Sequence, residues 1–244
     1  MNPYYADDLV TIYHGDAFDV LPDLAGVSAL ITDPPYSSGG QFRGDRMQSV
    51  ISKYVQYGTI IERPEFTGDN RDQRSYLAWC SLWLTAARHA ALPGCVVAMF
   101  TDWRQLPITT DALQAGGWVW RGIGVWDKGN GARPQAGLTA QCEYVVWGTA
   151  GPSSIDVYLS GVFRQPSPRG DEKSHIAEKP RPVMDWLAGL CPPLGTVLDP
   201  FMGSGTTLVA AKNMGRRSIG IEIEERYCEI AAQRCSQEVL GLGA

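Results

Sequence analysis

The stretch Gly195-Thr-Val-Leu-Asp-Pro-Phe-Met-Gly-Ser-Gly-Thr-Thr207 decides the fold. Thr196 to Leu198 read as a buried strand, with Asp199 at its carboxyl end. Pro200, Phe201, Gly203, Ser204 and Gly205 then turn the chain into a helical run from Thr206 and Thr207 to Met214. A strand that ends in a glycine turn is where an open α/β sheet binds a ligand, because backbone approaches closely and the next helix presents free N–H groups. No lysine follows the glycines, so the loop lacks the phosphate-reaching group of a P-loop, and its spacing is not Gly-x-Gly-x-x-Gly. A bare loop of this composition is equally an ordinary tight turn, so its neighbours carry the argument.

After the glycine-loop helix, Ser218 to Ile221 read as a strand ending in Glu222, and Glu224 to Glu238 as the last helix. Toward the amino end, Leu9 to His14 form a short strand closed by Gly15-Asp16. Val27 to Thr32 form a second, stopped at Asp33-Pro34-Pro35-Tyr36 because proline cannot donate to a central ladder. Tyr76 to Ala91 show helical spacing ahead of Pro93-Gly94. Cys95 to Phe100 then read as a strand, Ile108 to Ala115 as a helix, and Trp118 to Trp126 and Ala140 to Gly148 as strands. Pro180 or Pro182 opens a further helix carrying Val183, Leu187 and Leu190 on one face. Strand alternating with helix predicts an α/β fold, a mostly parallel sheet covered by helices on both faces. Residues 37–72 are polar and glycine-bearing, a mobile loop on this reading. Residues 149–175 are rich in Gly, Pro and Ser and read as a small recognition insert within one domain spanning 1–244.

The totals set bounds. With 244 residues, 44% of them hydrophobic, the chain has enough apolar surface for one sizeable core. A net charge of -5 gives no whole-protein attraction to polyanions, so any nucleic-acid contact must be local. Six cysteines without a Cys-x-x-Cys pair or metal spacing read as reduced, mostly buried thiols. No metal, no membrane span and no targeting segment are expected.

Asp33-Pro34-Pro35-Tyr36 is the most informative tetrapeptide. The prolines hold the Asp33 carboxylate and the Pro34 carbonyl in a set relation, two acceptors suited to a planar amine, and Tyr36 offers a face for stacking. Acceptors at the N–H groups of an exocyclic amine stabilise positive charge developing on its nitrogen, and so favour the transition state. Glu222, at a strand end, is placed to accept ribose hydroxyls; near a helix start it also needs no function. Asp16 is a candidate contact for an adenine edge or a simple helix cap. His175 and Lys179, just before a helix, are candidate partners for an amino-acid carboxylate.

These residues resemble the DNA amino-methyltransferases that use S-adenosylmethionine, in their circularly permuted beta arrangement. The matching segments are Gly15-Asp16, Thr32 to Tyr36, His175 to Pro182, Leu198 to Thr207 and Gly220 to Tyr227, in the family's order from end to end. The resemblance implies a Rossmann-like methyltransferase fold in which the first short strand is the family's third and the cofactor strand returns between its usual neighbours. It implies that Asp33 and Tyr36 hold and stack a flipped base, with Phe201 and the glycine loop lining the cofactor pocket. Glu222 would bind ribose, Asp16 would lie near the cofactor adenine, and His175 or Lys179 near its methionine end. It further implies adenine N6 as the target, direct in-line methyl transfer without metal or covalent enzyme intermediate, double-stranded DNA as partner and a bacterial or phage-host cytoplasmic setting. Cytosine N4, a structured RNA, and an inactive DNA-binding or assembly protein are the alternatives.

DNA contacts are sought among Arg43, Arg46, Lys53, Lys128, Arg133, Arg164 and Arg169, where phosphate contacts would position the duplex and others read base edges. The recognition insert is small for this family, so a second subunit is a candidate source of further contacts, as a homodimer would provide. The eight tryptophans read mainly as core, with Trp126 the best candidate for a stacking platform.

Overall fold

The computed structural model describes residues 1–36, 71–132, 138–153, 155–166 and 179–237. Nine strands form one sheet in the order β1-β2-β9-β8-β3-β4-β6-β5-β7. They are β1 (Tyr5–Ala6), β2 (Val10–His14), β3 (Val27–Thr32), β4 (Ala91–Thr101), β5 (Val119–Ala132), β6 (Ala140–Thr149), β7 (Val162–Arg164), β8 (Thr196–Asp199) and β9 (Arg217–Glu222). The helices are α1 (Ala17–Val20), α2 (Gln73–Ala90), α3 (Leu106–Ala115), α4 (Arg181–Ala188), α5 (Thr206–Asn213) and α6 (Glu225–Ser236).

The sheet is mixed. The run β2-β9-β8-β3-β4 is parallel throughout, whereas β4-β6 and β6-β5 are antiparallel and β7 joins β5 in parallel. The sheet is therefore mostly parallel, as expected, with antiparallel pairing confined to β1-β2 at one end and β4-β6-β5 toward the other. β5 and β6 are linked by too few residues for a helical crossover, so they return as a hairpin. The glycine-loop strand β8 lies between β9 and β3, and the early strand β2 lies next to β9, which is the permuted order.

Alternation along the strands sends side chains to two cores. From β4, Val97 and Met99 pack with Trp83 and Leu84 of α2 and Leu113 of α3, while Val96, Ala98 and Phe100 pack with Val183 and Leu187 of α4 and Ala210 of α5. Burying each such side chain contributes roughly 1.5–3 kcal/mol, so a one-residue slip of β4 would reverse both faces and is strongly disfavoured. A third cluster, Val10, Ile12, Leu208, Cys228 and Ala231, seats α6 against β2 and α5.

Local signals set the ends. Asp72 caps α2 by accepting from Arg74 N at 3.0 Å and Ser75 N at 2.9 Å. α4 carries proline in its first turn. β4 starts four residues before the expected Cys95 because Ala91 pairs with Val27 ahead of a register shift; Pro93, exposed, and Gly94, buried, fall within the strand and not in a loop. Five of the six cysteines are buried and all are free thiols. Among the described residues no helix is long and apolar enough to cross a membrane, and no group of His, Cys, Asp or Glu is arranged to hold a metal ion.

Candidate active site

Parallel strands bring their carboxyl ends to one edge, and there β3, β8 and β9 deliver Asp33, Asp199 and Glu222. Asp199 is buried and its oxygens accept from Thr32 Oγ1 at 2.7 Å, Thr207 Oγ1 at 2.5 Å and Phe201 N at 3.1 Å. It therefore ties the strand of the glycine loop to the strand that carries Asp33. Burial pushes its carboxyl up to about 6, against the hydrogen bonds from Thr207, Thr32 and the Phe201 amide.

The glycine loop needs its glycines for different reasons. Gly203 has φ +50° with open space where a Cβ would stand; Gly205 has φ +81°, and a Cβ there would lie 2.8 Å from the Ala231 Cβ of α6. The same helix sends Arg234 Nη1 to Ser204 O and Ser204 Oγ, both at 2.9 Å, and to Thr206 Oγ1 at 3.4 Å. Glu222 braces the other side: Oε2 accepts from Gly203 N at 3.0 Å and Oε1 from Glu224 N at 2.9 Å. Burial raises its carboxyl above the ordinary value. Gly15 N donates to Glu222 O at 3.0 Å, so Gly15-Asp16 lies beside Glu222. Asp16 N-caps α1 through Phe18 N at 2.9 Å. Phe201 stands between Trp79 and Trp83, ring centroids 5.2 and 5.1 Å away.

Asp33 lies at the end of β3 with Pro34 buried and Tyr36 half-buried behind it. Its Oδ2 is ion-paired with Lys179, while Oδ1 is buried without a hydrogen-bond partner among the described residues. Lys179 Nζ also lies 3.2 Å from Glu143 Oε2, and Glu143 Oε1 lies 2.5 Å from Lys128 Nζ. The Lys179 ammonium faces the Tyr36 ring at 5.6 Å and the Phe100 ring at 5.1 Å. Burial pushes Asp33 up to about 6; Lys179 opposes this, and Glu143 and Asp199 add to it. Burial acts in the same upward direction on Glu143, but Lys179 and Lys128 outweigh it and hold Glu143 below its ordinary value.

The structure thus places Lys179 against Asp33. Lys128 sits in an ion pair and over the Trp126 ring at 5.1 Å. Arg164 is exposed, its Nε 3.6 Å from Asp127 Oδ2. Trp126 is not a stacking platform: it is 3% exposed, and its indole N–H donates to Gln165 O at 2.7 Å. Instead Trp103 and Trp120 are the exposed indoles. His175, Arg43, Arg46, Lys53, Arg133 and Arg169 lie outside the described residues, as do positions 37–70 of the expected mobile loop and 167–175 of the insert. Glu143 and Arg234 were not anticipated. Glu143 had a signal, a charge in the apolar strand run Cys142 to Trp147; Arg234 had none, since its role depends on how α6 crosses the loop.

Comparison with known proteins agrees with this geometry. Residues 149–233 match a family model described as DNA methylase. The chain is 25% identical to the type II methyltransferase M.ScaI of Streptomyces caespitosus, with 98% of this chain and 86% of the relative covered. It is 26% identical to M2.DpnII of Streptococcus pneumoniae over 97% and 93% of the two chains. The crystal structure of an M1.HpyAVI-SAM complex superposes with a TM-score of 0.67 at 26% identity, covering 94% of this chain and all of that one. The PvuII cytosine-N4 DNA methyltransferase reaches 0.71 at 16% identity over 98% and 90%, a likeness of fold alone. The fold is the Rossmann-like, circularly permuted methyltransferase fold. The chain is thus similar over residues 149–233 to the DNA methylase family model, and along nearly its whole length to type II DNA methyltransferases and to a methyltransferase solved with S-adenosylmethionine.

Proposed function

We propose that this chain methylates the exocyclic N6 amino group of adenine within a specific double-stranded DNA sequence, with S-adenosylmethionine as donor. The observation that supports this best is Asp33 Oδ1, a buried acceptor without a partner among the described residues, on the same sheet edge as the glycine loop. An amine N–H fits such an atom, because a buried acceptor left unpaired costs free energy and a partner that gains charge during reaction repays it most in the transition state.

The residues present fit the cofactor. Gly203 leaves open space where a side chain would stand, and the Glu222 carboxylate has acceptor capacity beyond its two backbone donors for ribose hydroxyls. Asp16, beside Glu222, serves the adenine edge with the oxygen that does not cap α1. Ser204, Thr206, Thr207, Pro200 and Phe201 shape the pocket wall, and His175 serves the methionine end. When bound, S-adenosylmethionine supplies a sulfonium methyl to which the amine lone pair bonds as the C–S pair returns to sulfur.

The protein's part is positioning. A base extruded from the duplex stacks on Tyr36, its amine donates to Asp33 Oδ1 and the Pro34 carbonyl, and Asp33 takes the N–H proton released after transfer. Residues 149–175 and 37–72 provide base reading and phosphate contacts, with Arg43, Arg46, Lys53, Arg133, Arg164 and Arg169 as the basic groups, in a single catalytic domain that a homodimer would complete on duplex DNA.

Methyl transfer from labelled S-adenosylmethionine to unmethylated duplex DNA, read by nucleoside mass spectrometry, tests this. N6-methyladenine that disappears in Asp33→Ala is the expected result. N4-methylcytosine would overturn the base assignment, and transfer confined to RNA would overturn the substrate.

A further inference from the structure

Four charges of alternating sign run in single file from the surface to the proposed catalytic carboxylate. Lys128, a quarter exposed, meets Glu143; Glu143 meets Lys179; Lys179 meets Asp33. They come from β5, β6, the segment before α4, and the end of β3, so only the folded chain assembles them. Lys179 is the most enclosed of them, 7% exposed, with its ammonium backed by the rings of Phe100 and Tyr36, while Glu143 and Asp33 are half-buried. Each lysine has an acidic partner and each acid a cationic one, which is the condition under which buried charges persist.

We infer that Glu143 and Lys179 are positioning residues for methyl transfer: Lys179 engages Asp33 through Oδ2 alone, and Glu143 draws part of that ammonium away, leaving Oδ1 anionic and free for the target amine. The inference rests on the function proposed above and goes beyond it in assigning these two residues. An ammonium shared between two carboxylates binds each less tightly than one it serves alone. Without Glu143, Lys179 would settle wholly on Asp33 and compete with the amine. Without Lys179, Asp33 would face Glu143 and Asp199 as like charges and take up a proton, which would fill the acceptor. The proton leaving the methylated amine goes to Asp33 and not to Lys179, since Lys179 already carries its full complement.

The two residues push Asp33 in opposite directions, and a merely structural role does not do that. The test is the pH dependence of kcat at saturating cofactor and DNA for Glu143→Gln, Lys179→Met and Lys179→Arg. Alongside it, the Asp33 carboxyl titration is read directly by 13C NMR on aspartate-labelled protein, assigned by its loss in Asp33→Asn. Lys179→Met is expected to move both the acid limb and the Asp33 titration to higher pH by about one unit or more. Glu143→Gln is expected to move both to lower pH, and Lys179→Arg to restore the wild-type position. In both non-conservative variants kcat falls on the order of a hundredfold, with KM for the cofactor little changed. Shifts in the same direction, or no shift in the NMR titration, would overturn the inference. Normal NMR shifts in a wild-type protein that transfers no methyl group to DNA would overturn the function and leave the charge arrangement standing. If Lys179→Met does not fold, Glu143→Gln and Lys179→Arg decide the matter alone.

Discussion

The Thr32 hydroxyl donates to Asp199 Oδ1 across 2.7 Å, joining the strand that ends in Asp33 to the strand that ends in the glycine loop. The strand end that carries Asp33 and the strand end that carries the glycine loop are therefore held in one relation by a single buried carboxylate, which also takes the Thr207 hydroxyl.

That carboxylate predicts a pH dependence of stability. Asp199 and Asp33 are both raised from 3.8 to about 6 in the folded protein, with burial as the first cause. The folded state thus holds protons more tightly than the unfolded chain. The stabilising contribution is full below the ordinary carboxylate value and is lost as pH rises through about 6. Unfolding free energy of the ligand-free protein, measured in urea, is expected to fall between about pH 4.5 and 6.5, by an amount on the order of 2 kcal/mol per group. Asp199→Asn should flatten this slope while lowering stability overall, because one of its three donors loses its acceptor. An unchanged slope would show that Asp199 does not titrate there. Glu143 and Asp7, both lowered, act in the opposite sense at the acid end of this range and below it.

The two loop glycines should respond unequally to a methyl group. Gly203→Ala meets no atom within 4 Å and bears only the left-handed backbone penalty, about 1–2 kcal/mol. Gly205→Ala adds the collision with Ala231 and should cost roughly 2–5 kcal/mol, with cofactor binding weakened in parallel. Thermal unfolding and cofactor titration of the two variants check the ranking; equal losses would mean that α6 shifts freely and does not brace the loop.

Glu222→Gln leaves one carbonyl oxygen to serve the Gly203 and Glu224 amides and any ribose hydroxyl, where the carboxylate has two. Calorimetric affinity for S-adenosylmethionine should drop roughly tenfold to a hundredfold, the scale of a lost charge-assisted hydrogen bond. Affinity equal to wild type would remove Glu222 from the proposed ribose contact.

Much of this was legible in the letters. Gly203 and Gly205 after a short apolar run, and Pro34-Pro35 after another, mark strand ends by local backbone chemistry, which needs no distant partner to be read. The observed strands β3, β8 and β9 follow from those signals, and the order of the motifs along the chain matched the permuted order of strands in the sheet. What the letters could not carry were relations across the fold. Trp126 beside Asp127-Lys128 looks like an exposed platform, yet β5 turns it into the core against Gln165. Lys128 looks like a phosphate ligand by charge, yet it is ion-paired with Glu143. Sequence by itself determined the carboxyl ends of β3, β8 and β9 and the acidic and glycine residues that follow them, because period and backbone restriction act over a few residues. Only tertiary structure decided that Arg234 grips the glycine loop and that Lys128, Glu143, Lys179 and Asp33 form one line. Hydrogen bonds and ion pairs depend on distances between residues far apart in the chain, and those distances exist only once both cores have closed.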